Sequence, residues 1–125
     1  MELLERLKKA EKGSPELDLE IMKVMGLVND PVVTISPNGL WFGVYMSNGQ
    51  IDVKGRMQSL STSLDAQEKA LPDGWEWGHM IKSSDGECYA LARSVREMKS
   101  VEAEHCSMVM ARAFAVVMAW KASKE

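Results

Sequence analysis

Three dipeptides constrain this chain more than any other feature: Asn38-Gly39, Asn48-Gly49 and Asp85-Gly86, each set between short runs of β-branched and aromatic residues. Asn-Gly and Asp-Gly provide the backbone geometry of tight hairpins, so each marks a pair of antiparallel strands. As two-residue loops, the first two join strands over 32–36, 41–46 and 50–54. Ile35 then faces Phe42, Val44 faces Val53 and Met46 faces Ile51. Val33, Ile35, Phe42, Val44, Met46, Ile51 and Val53 share one side of the sheet, and Thr34, Trp41, Tyr45, Asp52 and Lys54 the other. The third loop pairs Ile81 with Ala90, His79 with Ala92 and Trp77 with Ser94. Trp75, Trp77, His79 and Ile81 line one side of that hairpin opposite small residues, the side on which a docking helix would interdigitate.

Helices flank these strands. Leu3, Leu4, Leu7 and Ala10 recur at helical spacing, and Gly13 ends that run. Ser14-Pro15-Glu16 starts a second helix, with serine as N-cap and proline at its first position. Thr62 and Asp65 suggest a capping box for a helix over 62–71, closed by Pro72-Asp73-Gly74. The last and longest helix is expected over 101–123, capped by Ser100 and apolar most of the way round. The expected order is α-α-β-β-β-α-β-β-α over a single domain spanning 1–125. That is an α+β protein, an antiparallel sheet of about five strands with helices packed on it.

Several of these stretches resemble the phage α-β-α sandwich domain family, a group of small phage proteins. The resemblance lies in the N-terminal LLERLKKAEKGSPELDLEIMKVMG, in Ser63-Leu64-Asp65-Ala66, in Leu71-Pro72-Asp73-Gly74-Trp75 and in the alanine-rich C-terminal helix. The chain departs from that pattern in its extra β material over 32–54 and in its methionine-rich end. The resemblance implies a phage or prophage origin and a three-layer α-β-α sandwich. It supplies no catalytic residues.

Charge narrows the partners. A net charge of -3 argues against broad binding to nucleic acid or anionic membrane, although Arg93, Arg96 and Lys99 lie close together. The N-terminal residues show no signal-peptide core, and the apolar run 113–120 is too short for a membrane span. A cytoplasmic protein of the bacterial host is therefore expected, with Cys88 and Cys106 as reduced thiols.

No motif names a reaction. His79, Cys88, His105 and Cys106 lack zinc-site spacing, so no metal and no cofactor is expected. Neither a Cys88–His79 nor a Cys106–His105 pair shows an orienting third group, and no catalytic residue is assigned. Phosphate-binding glycine loops are missing from the sequence. What remains is an aromatic and basic set. Trp41, Tyr45, Lys54 and Arg56 belong to the outer side of the first sheet, and Trp77 and His79 to the second hairpin. Trp, Tyr and Arg are enriched at interaction hot spots and also suit stacking a nucleotide base. The favoured expectation is a non-enzymatic phage accessory protein that binds a host protein, as a counter-defence inhibitor would. The alternative is a protein that binds or sequesters a small nucleotide signal. Ten methionines and an apolar last helix also suggest a homo-oligomer.

Overall fold

The computed structural model describes residues 2–29 and 33–124, so Val32, where the first strand was expected to begin, lies outside the described residues. The elements are α1 (Leu3–Lys9), α2 (Pro15–Val24), β1 (Thr34–Ile35), β2 (Trp41–Tyr45), β3 (Ile51–Arg56), α3 (Leu64–Glu68), β4 (Glu76–Lys82), β5 (Cys88–Ser94), β6 (Lys99–His105) and α4 (Met108–Ser123). The α+β class holds. The single sheet of five strands does not: there are two three-stranded antiparallel sheets, β1-β2-β3 and β4-β5-β6.

The additional strand comes from the expected start of the last helix. Val101, Ala103 and His105 turn inward while Glu102 and Glu104 turn out, a period of two that overrides the local helix signals. This segment pairs residue for residue with β5, from Ser94↔Lys99 to Cys88↔His105. The α4 cap is Ser107, whose side chain accepts from the Met110 N–H, in place of Ser100. Likewise α3 is capped by Ser63, which accepts from the Ala66 N–H, and covers only Leu64–Glu68 of the expected 62–71. The first two helices form as expected, with Ser14 accepting from the Leu17 N–H and Pro15 at the first position.

Loop length changes the registers. Asn48 and Asp85 have negative φ, whereas Gly49 and Gly86 stand at +84° and +91°. A two-residue type I′ loop needs positive φ at both positions, so this pattern instead gives three-residue loops ending in a left-handed glycine. Met46 donates to Gln50 and Ser83 to Glu87 across the loop bases. The pairs become Tyr45↔Ile51 and Ile81↔Tyr89, one residue from the expected register. A bulge between Phe42 and Gly43 restores Phe42↔Gly55, and one between Trp77 and Met80 sets Gly78 and His79 against Leu91.

Helix α4 is the centre. On one side Ala111 and Ala115 pack against Cys88, Ala90 and Ala103 of the second sheet, and Ala119 packs with Ala92 and Trp75. On the other, Met110, Ala113, Val116 and Val117 meet Leu7, Leu17, Ile21, Met22 and Leu60. The layers therefore run sheet, α4, then α1 to α3, a β-α-α order in place of α-β-α, because the far face of the second sheet carries polar and half-exposed residues. The first sheet joins this body through Val33, Ile35, Phe42 and Met57.

A buried polar latch ties the α1–α2 turn to the loop before α3. The Asp18 carboxylate accepts from the Ser61 N–H at 2.7 Å and from its hydroxyl at 2.6 Å. A Cβ on Gly13 would stand 2.1 Å from the Ser61 carbonyl oxygen, so Gly13→Ala must push the two segments apart. We expect it to destabilise by about 1–3 kcal/mol in urea unfolding, the range of overpacked sites. Burial raises the Asp18 carboxyl above its ordinary value of 3.8, and the Ser61 hydrogen bonds offset only part of this. The folded state therefore favours the proton on Asp18. Its contribution is fully present below 3.8 and is lost as pH rises through the raised folded value. Urea titrations across acid to neutral pH should show wild type losing stability relative to Asp18→Asn over that window; parallel curves would refute the assignment.

Candidate functional site

The shifted register of β3 builds a surface that the two-residue loop would not. Residues paired across antiparallel strands share a face, so Trp41 and Arg56, Gly43 and Val53, and Tyr45 and Ile51 lie on one side of the first sheet. Phe42 is buried on the other side. Trp41 is 41% exposed, Tyr45 64% and Val53 53%. Leu40 and Met46, at the ends of β2, are exposed as well. Exposed aromatics and an aliphatic residue thus share one face of the sheet rather than standing singly.

The Arg56 guanidinium stands 6.0 Å from the centre of the Trp41 ring. At that distance, in solvent, a cation–π contact contributes only about 0.5–1 kcal/mol, so it orients the indole without burying it. Lys54 is not on this face. It pairs with Asp52 at 2.9 Å and lines a cavity of about 260 Å³ with Leu27, Val28, Asn29, Val33 and Phe42.

Trp77 and His79 lie elsewhere again, on opposite faces of the second sheet. Trp77 turns inward beside Ala92 and packs on all three core clusters. The Arg112 guanidinium sits 4.9 Å from its ring centre, buried, and donates to Glu68 Oε2 at 2.8 Å. A desolvated pair of this kind is worth about 2 kcal/mol, which makes Trp77 part of the core. Its Nε1, the Arg112 Nε and the Gln67 Oε1 are buried without a hydrogen-bond partner. His79 Nε2 meets Glu102 at 2.6 Å on the outer face. That face also carries Ile81, Tyr89, Leu91 and the Arg93–Glu76 ion pair at 3.0 Å.

The outer face is acidic toward the β4–β5 turn. At the β4–β5 turn, Ser83 and the Glu87 N–H hold the Asp85 carboxyl below its ordinary value. Glu104 first, then Asp85, Glu87 and Glu102, raise the Tyr89 hydroxyl above its ordinary value by their negative charge. Arg93 and Arg96 stand at the opposite end, beside the turn that leads into β6.

Thiol chemistry finds little support in the geometry. Cys88 is buried on the inner face, across the sheet from His79. His105 is fully engaged: Nε2 donates to the Ala10 carbonyl at 2.7 Å and Nδ1 accepts from the Ser107 N–H at 3.0 Å. Cys106 lies 3.6 Å from that same Nδ1. Moving its proton there would set N–H against N–H at Ser107. Among the described residues no three His, Cys, Asp or Glu side chains are grouped to hold a metal ion, and no helix is long and apolar enough to cross a membrane.

Compared with family models, curated proteins and solved structures, the chain matches none.

The first-sheet face thus unites Trp41, Tyr45 and Arg56 from the sequence reading and leaves out Lys54, Trp77 and His79. The two-residue loop sets Ile51 and Val53 on the side opposite Trp41 and Tyr45; the three-residue loop, with negative φ at Asn48 and positive φ at Gly49, brings them to the same side. We expect Trp77→Ala to cost about 3–5 kcal/mol in chemical unfolding, as for other large core truncations, and Trp41→Ala no more than about 0.5 kcal/mol. Equal losses would overturn the separation of core from surface tryptophan.

Proposed function

We propose that this protein is a non-enzymatic accessory protein that docks a host protein on the open face of its first sheet. One observation carries the reading. Trp41, Tyr45, Ile51 and Val53 share a face on which Trp41, Tyr45 and Val53 are exposed, while Phe42, on the other side of the sheet, is the residue of its strands buried in the core among the described residues. Aromatic anchors with an arginine at the margin are the residue types that dominate binding energy at protein interfaces. The matching partner surface is apolar with a carboxylate placed for Arg56. A phage or prophage origin, and a counter-defence role for the docking, are supported by the resemblance of Ser63–Ala66 and Leu71–Trp75 to the phage α-β-α sandwich proteins. The engaged nitrogens of His105 and the separation of Cys88 from His79 support the non-enzymatic reading.

Native mass spectrometry of the tagged chain, purified from the bacterium in which it is made, tests this. A host protein should accompany the wild type at fixed stoichiometry. The Trp41→Ala/Tyr45→Ala variant should keep its fold and lose that partner, with affinity weakened about 30-fold or more if the two are hot spots of ~2 kcal/mol. Retention of the partner by a folded double variant would refute the site. An adduct of nucleotide mass in place of a protein would favour the nucleotide-binding alternative, for which Arg56 beside Trp41 is the pertinent arrangement.

A further inference from the structure

We infer that the cavity between α3 and the start of β4 is a binding site for a small monocarboxylate, whose carboxylate pairs with the buried Arg112 in place of Glu68.

Arg112 is a buried charge that is incompletely matched. Its side chain is 7% exposed, while that of its acidic partner Glu68 is 65% exposed. The two meet at one point, Nη2 to Oε2 at 2.8 Å, and Nη2 also lies 3.5 Å from the Leu64 carbonyl oxygen. Nε is buried without an acceptor. Nε and Nη2 present their N–H groups along one edge of the guanidinium, the edge that a carboxylate grips with both oxygens at once. Glu68 uses half of that edge. It stands at the end of a five-residue helix, with most of its side chain in water.

A second unmatched donor lies beside the first. The centre of the Trp77 ring is 4.9 Å from the Arg112 guanidinium carbon, and its Nε1 is also buried without an acceptor. Buried N–H groups are rarely left so, and a pair of them on two touching side chains calls for an oxygen-bearing partner.

Glu68 and Trp77, which both touch the guanidinium, also line a cavity of about 540 Å³ together with Leu71, Pro72 and Trp75. Turning the Glu68 carboxylate out into the solvent that already reaches it opens Arg112 to this space. A ligand carboxylate entering there takes Nε and Nη2 together, and an apolar body rests against Leu71, Pro72 and the indoles. The exchange replaces a one-point contact by a two-point one. Asp73 and Glu76 border the same cavity, so one negative charge is favoured over the double charge of a phosphate.

Benzoate is the probe, titrated into the full chain at constant ionic strength, with chloride and inorganic phosphate as controls. The Trp77 indole N–H signal in NMR spectra should move with benzoate, and that of Trp41 should stay fixed. Glu68→Gln removes the competing charge and should tighten benzoate at least about fivefold. Arg112→Met should abolish binding. Thermal melts establish which variants are folded, and the wild-type titration and Glu68→Gln decide the matter if Arg112→Met does not fold. A Trp77 signal indifferent to benzoate in wild type and folded Glu68→Gln, an equal response to chloride or phosphate, or an affinity unchanged by Glu68→Gln would overturn the inference.

Discussion

Alanine against alanine is the contact on which the rest of the structure depends. Ala111, Ala115 and Ala119 of α4 meet Ala90, Ala92, Ala103 and Cys88 of the second sheet, all nearly or wholly buried. Side chains this small bring helix backbone and sheet close together, and interiors packed at crystal density leave no slack for a larger group there. The choice of residues on three elements is explained by one spacing. Because α4 lies so close to the sheet, its opposite side is free to carry the larger Met110, Val116 and Val117 toward α1 and α2. The helix is apolar most of the way round because layers pack on two sides of it, burying eight of its sixteen residues and leaving others, Phe114 and Met118 among them, half-buried.

Polar groups fasten what this packing brings together. Gln67 donates to the carbonyls of Leu60 and Val109, Trp120 to that of Ala70, and His105 to that of Ala10. The bonds to Val109, Ala70 and Ala10 join segments 42, 50 and 95 positions apart, and the bond to Leu60 spans seven. A satisfied buried bond contributes only about 1 kcal/mol net, but an orphaned group costs about 1–3, so these contacts mainly forbid other arrangements. The Gln67 Oε1 and Arg112 are exceptions. The Arg112 charge is held by Glu68 and by the face of Trp77, yet its Nε stays unpartnered, and the indole N–H beneath it does too. The core tolerates this where cation and ring compensate each other.

Much of this was legible in the sequence, and the failures share a cause. Helices α1 and α2, the Ser14 cap of α2, the hairpin positions and the Ile35↔Phe42 register follow from local residue chemistry and are present. The registers of the other two hairpins were not legible, because Asn-Gly and Asp-Gly fit both a two-residue and a three-residue loop. The choice depends on whether Asn48 and Asp85 take positive φ, and their side chains instead accept from the N–H groups of Gln50 and Glu87. Strand β6 was hidden for a related reason. Ser100, Glu102 and Glu104 satisfy the rules for a helix start, while the alternation of Val101, Ala103 and His105 acquires meaning only beside the small residues of β5. Of the candidate residues, Trp41, Tyr45 and Arg56 fall on one face by strand parity; Trp77 and His79 are separated by a bulge at Gly78, where a Cβ would stand 2.7 Å from Leu91, glycine within a strand being the local sign of such a bulge.

The two sheets consequently present two different kinds of open surface. The first is a small meander whose buried side is anchored by Phe42 and whose other side is aromatic and aliphatic with one cation. The second is backed along its length by α4, and its exposed side is a lattice of paired charges around Ile81, Tyr89 and Leu91. An apolar aromatic face gains affinity by excluding water, and its energy is concentrated in a few anchors. A charge-laced face gains orientation and specificity more than affinity, and loses strength with salt. The docking proposed for the first sheet therefore rests on an apolar, aromatic residue chemistry that the charge-laced second sheet does not share.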